Sequence, residues 1–218
     1  MKKLIITFTV ALLVPQIVQA QGTTTYLSNL DLPSAGSLGV GSDSWYAALF
    51  ITGTNSSGYT LDSIRLAMTD ATGNPSGFTA MIYSAIVGGG VNPGSSLGNL
   101  DGSLSPVAGG IFTYTPASNL TLSSSTTYFI VLTAGTAVAN GAYDWSHAGT
   151  YSYNQSGGWQ TFANILHSSN GSSPWTYISS IDAQFAINAI PIPEPGFLSL
   201  FGLGGLAFLW HRRKAKAI

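Results

Sequence analysis

Short runs of Val, Ile, Tyr, Phe and Thr, broken every few residues by Gly, Asn, Ser and Pro, fill the chain between Thr24 and Asn188, and nowhere do apolar residues recur at helical spacing. That pattern restricts the middle of the chain to an all-β fold of short antiparallel strands. The expected architecture is a β-sandwich, jelly-roll-like, over residues 21–189. Strands are expected near Thr24–Leu30, Trp45–Thr52, Tyr59–Met68, Thr79–Ile86, Ile111–Tyr114, Tyr128–Thr133, Ala142–Ser146, Gly158–Phe162 and Ile178–Asn188. Gly73-Asn74-Pro75, Asn92-Pro93-Gly94, Asn140-Gly141 and Asn170-Gly171 supply the turns.

Four details sharpen this picture. Tyr128 to Leu132 is continuously apolar, as in a central strand covered on both faces. Ile64, Leu66 and Met68 alternate, but Leu61 falls out of phase, which predicts a bulge or strand start near Asp62. In the last strand Ile181, Ala183, Phe185 and Ile187 alternate with Asp182, Gln184 and Asn188, so one face is expected to be wet. Gly88 to Gly110 is rich in Gly and Ser and is expected to form a long mobile loop.

Charge narrows the function. Between residues 21 and 189 seven aspartates face a single cation, Arg65, for a formal charge of −6. Nucleic acid, whose phosphates call for clustered Lys and Arg, is excluded as a partner. Cysteine is absent, so the fold rests on its core without disulfides, and thiolate metal sites do not arise.

Both ends carry targeting patterns. Met1-Lys2-Lys3, an apolar stretch from Leu4 to Val14 and Val18-Gln19-Ala20 form a secretory signal peptide over residues 1–20. At the other end Pro193-Glu194-Pro195 precedes an apolar segment from Phe197 to Trp210 and a basic stop of Arg212, Arg213 and Lys214. By the positive-inside rule the basic cluster stays in the cytoplasm. Gly202, Gly204 and Gly205 weaken the segment as a lasting transmembrane helix, so a temporary anchor is expected.

Pro-Glu-Pro, an apolar helix and a terminal arginine cluster, in that order over residues 190–218, resemble the PEP-CTERM sorting signal of Gram-negative bacteria that make extracellular polysaccharide. The resemblance implies processing by the membrane protease exosortase, a transient stay in the inner membrane, and delivery to the cell surface or extracellular matrix. The mature domain resembles the choice-of-anchor R domains through Phe50-Ile51-Thr52-Gly53, Gly58-Tyr59-Thr60-Leu61-Asp62-Ser63-Ile64, Phe112-Thr113-Tyr114, Thr126-Thr127-Tyr128 and Tyr143-Asp144-Trp145. That second likeness implies an anchored β-sandwich and no particular chemistry.

Candidate chemistry within the domain is sparse. His147 and His167 are the sole candidates for a base near neutral pH, and Asp144 lies three residues from His147, but no Gly-x-Ser-x-Gly elbow accompanies them. No catalytic residue, metal ligand or cofactor is expected. Asp70 to Asn74 reads as an Asx-type turn ahead of a calcium loop. A structural or adhesive role without catalysis is the leading expectation. The alternative is carbohydrate binding through exposed aromatics, Tyr151, Tyr153, Trp159 and Trp175, set among Ser, Asn and Gly.

Overall fold

The computed structural model describes residues 22–87, 90–162, 164–172, 174–179 and 181–194. The signal peptide, Pro195, the apolar segment and Arg212, Arg213 and Lys214 lie outside the described residues. In chain order the strands are β1 Thr24–Ser28, β2 Ser34–Val40, β3 Trp45–Ile51, β4 Tyr59–Met68, β5 Thr72–Gly73, β6 Thr79–Val87, β7 Val91–Asp101 and β8 Gly110–Pro116. There follow β9 Thr121–Leu122, β10 Thr127–Thr133, β11 Gly141–Ala148, β12 Asn154–Gln155, β13 Asn164–Ser168, β14 Thr176–Ser179, β15 Asp182–Ala183 and β16 Phe185–Pro191. No α-helix occurs among the described residues.

All pairings are antiparallel, and the ladder runs β12-β1-β16-β4-β8-β7-β6-β10-β3-β13-β14, with β11 carrying β2, β5 and β15 beside it. The seam lies at β8, which pairs with β4 from Ile64↔Tyr114 to Met68↔Gly110 and with β7 only at Leu100↔Pro116 and Asp101↔Thr115. There the sheet folds over on itself. The main core fills the space between the halves, with Leu27, Ile64, Leu66, Phe185 and Ile187 from one side meeting Phe50, Ala80, Ile82, Ile130 and Leu132 from the other.

A second core lies on the opposite face of β3, β6, β10 and β13, built from Ala47, Leu49, Met81, Phe129, Val131 and Leu166 and joined by Trp175. Tyr177 of β14 donates to the Val91 carbonyl of β7 at 3.0 Å. Those two strands end the half-ladder β7-β6-β10-β3-β13-β14, so this half is rolled around the second core until its ends meet. The unbroken apolar run of β10 thereby finds cover on both faces, as expected. The bulge expected near Asp62 is also present: β16 pairs Asn188 with Ser63 and Ala189 with Leu61, leaving Asp62 as the extra residue.

Four expectations are corrected. The stretch from Gly88 to Gly110 contains β7, an 11-residue strand paired with β6 from Val87↔Val91 to Ala80↔Leu100. Ladder bonds override its poor local propensity, and Pro93, which has no N–H to give, sits where the register shifts. The single strand expected over Ile178–Asn188 is instead divided among β14, β15 and β16. Its polar face is not wet at Asp182 and Gln184, which are 4% and 3% exposed. Gln184 donates to the Leu32 carbonyl at 2.6 Å and accepts from the Ser146 hydroxyl at 2.6 Å, so its buried amide is hydrogen-bonded at both ends. Within Gly158–Phe162 Gln160 forms an isolated bridge to Ile51, and the strands on either side are β12 and β13.

Candidate functional site at the base of the tail

β16 leads directly into the Pro-Glu-Pro segment, and a tight turn between β3 and β4 receives it. Asn55 builds that turn: its Oδ1 accepts the Ser57 N–H at 3.2 Å and its carbonyl accepts the Gly58 N–H at 2.9 Å. Gly58 adopts φ +81°, and a Cβ there would stand 2.5 Å from the Leu122 carbonyl oxygen, so only glycine fits. The Asn55 N–H donates to the Tyr59 hydroxyl at 3.2 Å, which ties the turn to the start of β4.

Onto this turn the tail is fastened at successive points. Pro191 stands opposite Tyr59 in the ladder. The Ile192 N–H donates to the Gly58 carbonyl at 3.0 Å, and the Ile192 carbonyl accepts from Asn55 Nδ2 at 3.0 Å. Glu194 Oε1 accepts both the backbone N–H and the hydroxyl of Ser56, each at 2.9 Å. These two donors hold the exposed Glu194 carboxyl below the usual carboxylate range. Beside the junction lies an open cleft of about 410 Å³ lined by Tyr26, Asn55, Tyr59, Gly157 and residues 191–194.

Behind the cleft stands Trp159, 1% exposed. Its ring stacks on Tyr26 at 4.9 Å and on Phe50 at 5.9 Å, and meets the edge of Tyr59 at 5.0 Å. Trp175, 8% exposed, belongs to the second core. Tyr151 is 49% exposed and donates its hydroxyl to the Thr161 carbonyl. Tyr153, half-buried, donates to the Ala183 carbonyl at 2.9 Å and lies 5.6 Å from the Tyr151 ring. The structure thus brings Tyr151 and Tyr153 together and sends Trp159 and Trp175 into separate cores.

The histidines sit apart from one another, on β11 and β13. Asp144 and His147 stand three residues apart on β11, which turns them to opposite faces of the strand. Asp144 Oδ1 instead accepts from the Ser37 hydroxyl at 3.1 Å. His167 Nε2 lies 3.3 Å from the Ser44 hydroxyl, and its ring packs on Tyr46 at 5.2 Å. Asp70 Oδ1 accepts the Gly109 N–H at 2.7 Å. Among the described residues no three His, Asp or Glu side chains come close enough to share a metal ion.

Asp182 is a buried carboxyl within reach of a histidine. Burial raises its pKa, and nearby His147 pulls it back. A raised folded pKa favours the neutral acid, so the contribution to stability is complete below the unfolded value and is lost as pH rises through the folded one. Asp182→Asn is therefore expected to flatten the pH dependence of unfolding across the acidic range and to match or exceed the wild type at neutral pH, read from urea midpoints at several pH values. A variant with the wild-type pH profile would remove Asp182 from that account.

The tail base was visible in the sequence as Pro193, Glu194 and Pro195. Its receptor was not, because Asn55 and Ser56 lie 137 and 138 residues from the groups they bind. The family model of the PEP-CTERM protein-sorting motif matches residues 191–214. No curated protein and no solved structure matches the chain. Among the described residues no helix is long and apolar enough to cross a membrane. The motif implies an exosortase-targeted extracellular protein with a membrane-anchored precursor.

Proposed function

We propose that the mature chain is a non-catalytic structural or adhesive component of the cell surface or of a polysaccharide-containing extracellular matrix, a choice-of-anchor R type domain delivered by its tail. The observation that carries this reading is the sorting motif set directly on the last strand of an acidic, disulfide-free β domain. Fractionation of producing cells tests it. The protein is expected in the matrix fraction as a chain lacking its tail, and to be freed when the polysaccharide is enzymatically degraded. Recovery only from the periplasm would overturn the assignment.

Carbohydrate binding is the second reading, favoured by the half-exposed Tyr151 beside Tyr153 and the exposed Asn154 and Gln155. If it holds, the purified domain is retarded in gels containing the extracellular polysaccharide, and Tyr151→Ala, which leaves both cores intact, abolishes the retardation. Equal migration with and without polysaccharide would count against it.

A further inference from the structure

The groups that fasten the tail lie outside the sorting motif. The motif begins at residue 191, whereas its partners are Asn55, Ser56 and Gly58 of a turn within the domain. Together they occupy both backbone polar groups of Ile192 and one carboxylate oxygen of Glu194. Pro191, opposite Tyr59, is already part of the sheet. A protein that takes up an extended peptide draws much of its affinity from the peptide's own N–H and C=O groups. At Ile192 both of those groups are committed to the turn.

We infer that the Asn55–Gly58 turn is the positioning element for tail processing: it withholds the chain through Glu194 from the protease and confines the cut to the C-terminal side of Glu194. The released domain then keeps Ile192 to Glu194 fastened on its own turn. Asn55 and Ser56 act through Ile192 and Glu194 and are positioning residues. The inference rests on the tail being processed and is independent of what the released domain binds.

The electrostatics agree with the geometry. A carboxylate fixed by two donors stays ionised to lower pH than a free one. The folded pKa of Glu194 is depressed, so its contribution to fastening the tail is complete above the ordinary carboxylate value and is lost as pH falls through the depressed one.

The test uses the full chain in a host with exosortase and reads the C-terminus of the exported protein by intact mass. Wild type is compared with Asn55→Ala, Ser56→Ala and the double variant, all of which leave the motif unaltered. Wild type is expected to end at a single residue, Glu194 or later. The double variant, shown to be folded by an intact cooperative unfolding transition, is expected to lose that single terminus and to include chains cut at or before Ile192. In Ser56→Ala, which loses the hydroxyl donor but keeps the backbone N–H, the Glu194 carboxyl, followed by NMR titration, is expected to move part of the way up toward the ordinary range, which reports that the fastening itself is loosened. A wild-type terminus before Glu194, or the same single terminus in the double variant, overturns the inference alone. A wild-type chain that retains its whole tail overturns the processing assignment with it, which separates the two failures.

Discussion

Replacing Trp159 with alanine is expected to lower the stability of the domain by about 3–5 kcal/mol, the range for emptying a large aromatic site in a packed core. Folded domains are stable by only about 5–15 kcal/mol, so this single change removes a large share of the total. The indole is 1% exposed and lies between Tyr26 and Phe50, with interplanar angles of 15° and 6°. It therefore joins β1 to β3 across the main core while bracing Tyr59 at the tail junction. For a domain of this size the loss corresponds to a drop in Tm of roughly 10 °C, measurable by thermal unfolding. Trp159→Phe is expected to cost less, since the indole N–H has no hydrogen-bond partner to lose among the described residues. An unchanged melting temperature in Trp159→Ala would mean that the stack carries little of the fold. The result also governs how sugar binding is tested: loss of binding in Trp159→Ala would report unfolding, and Tyr151 is the side chain that reports on a surface.

Gly53→Ala is expected to have a comparable effect through overpacking, about 3 kcal/mol or more. A Cβ at this position would stand 1.9 Å from the Gly157 carbonyl oxygen, 2.6 Å from the Tyr59 hydroxyl and 2.9 Å from Trp159 Cδ1. The nearest of these is backbone and cannot swing aside, while the other two belong to side chains already fixed in the stack. The Gly53 carbonyl is itself held by the Ser125 N–H at 2.8 Å and the Ser124 hydroxyl at 3.2 Å, which limits relaxation from the other side. Urea unfolding of Gly53→Ala, Trp159→Ala and the pair checks this. The two costs are expected to be less than additive, because removing the indole relieves one of the three close contacts. Full additivity would place the strain elsewhere.

Where a strand buries its side chains locally, the sequence announces it. β3, β4, β6, β8, β10 and β11 were visible as apolar runs, and the phase slip at Leu61 marked the Asp62 bulge before any partner was known. β7 and β2 were not visible, because Gly, Ser and Asn have low strand propensity and only pairing with β6 and β11 fixes their backbones. The polar layer of Asp182 and Gln184 was misread for a related reason. Alternation identifies two faces of a strand but not what covers the second, and here Asn29, Leu32 and Ser146 supply Gln184 with the hydrogen bonds that water would otherwise make. Among the aromatics, Trp159 follows a Gly157-Gly158 turn and reads as exposed, yet those glycines let the chain bring the indole back over Tyr26 and Phe50. The motif at the tail was legible because it is contiguous. Its seat on Asn55 and Ser56 depends on the fold bringing β4 and β16 side by side.

The placement of β16 has a mechanical consequence for a protein delivered by its C-terminus. This strand lies between β1 and β4, paired with β4 along its whole length from Phe185 to Pro191 and with β1 at its centre. A force along the axis of this strand meets the rungs of two ladders at once, where a strand at a sheet edge has only one. The bulge at Asp62 keeps Leu61 and Ile64 turned into the same core and adds side-chain interlock to that resistance. A force applied at the junction therefore enters the sheet at an interior strand and not at either edge.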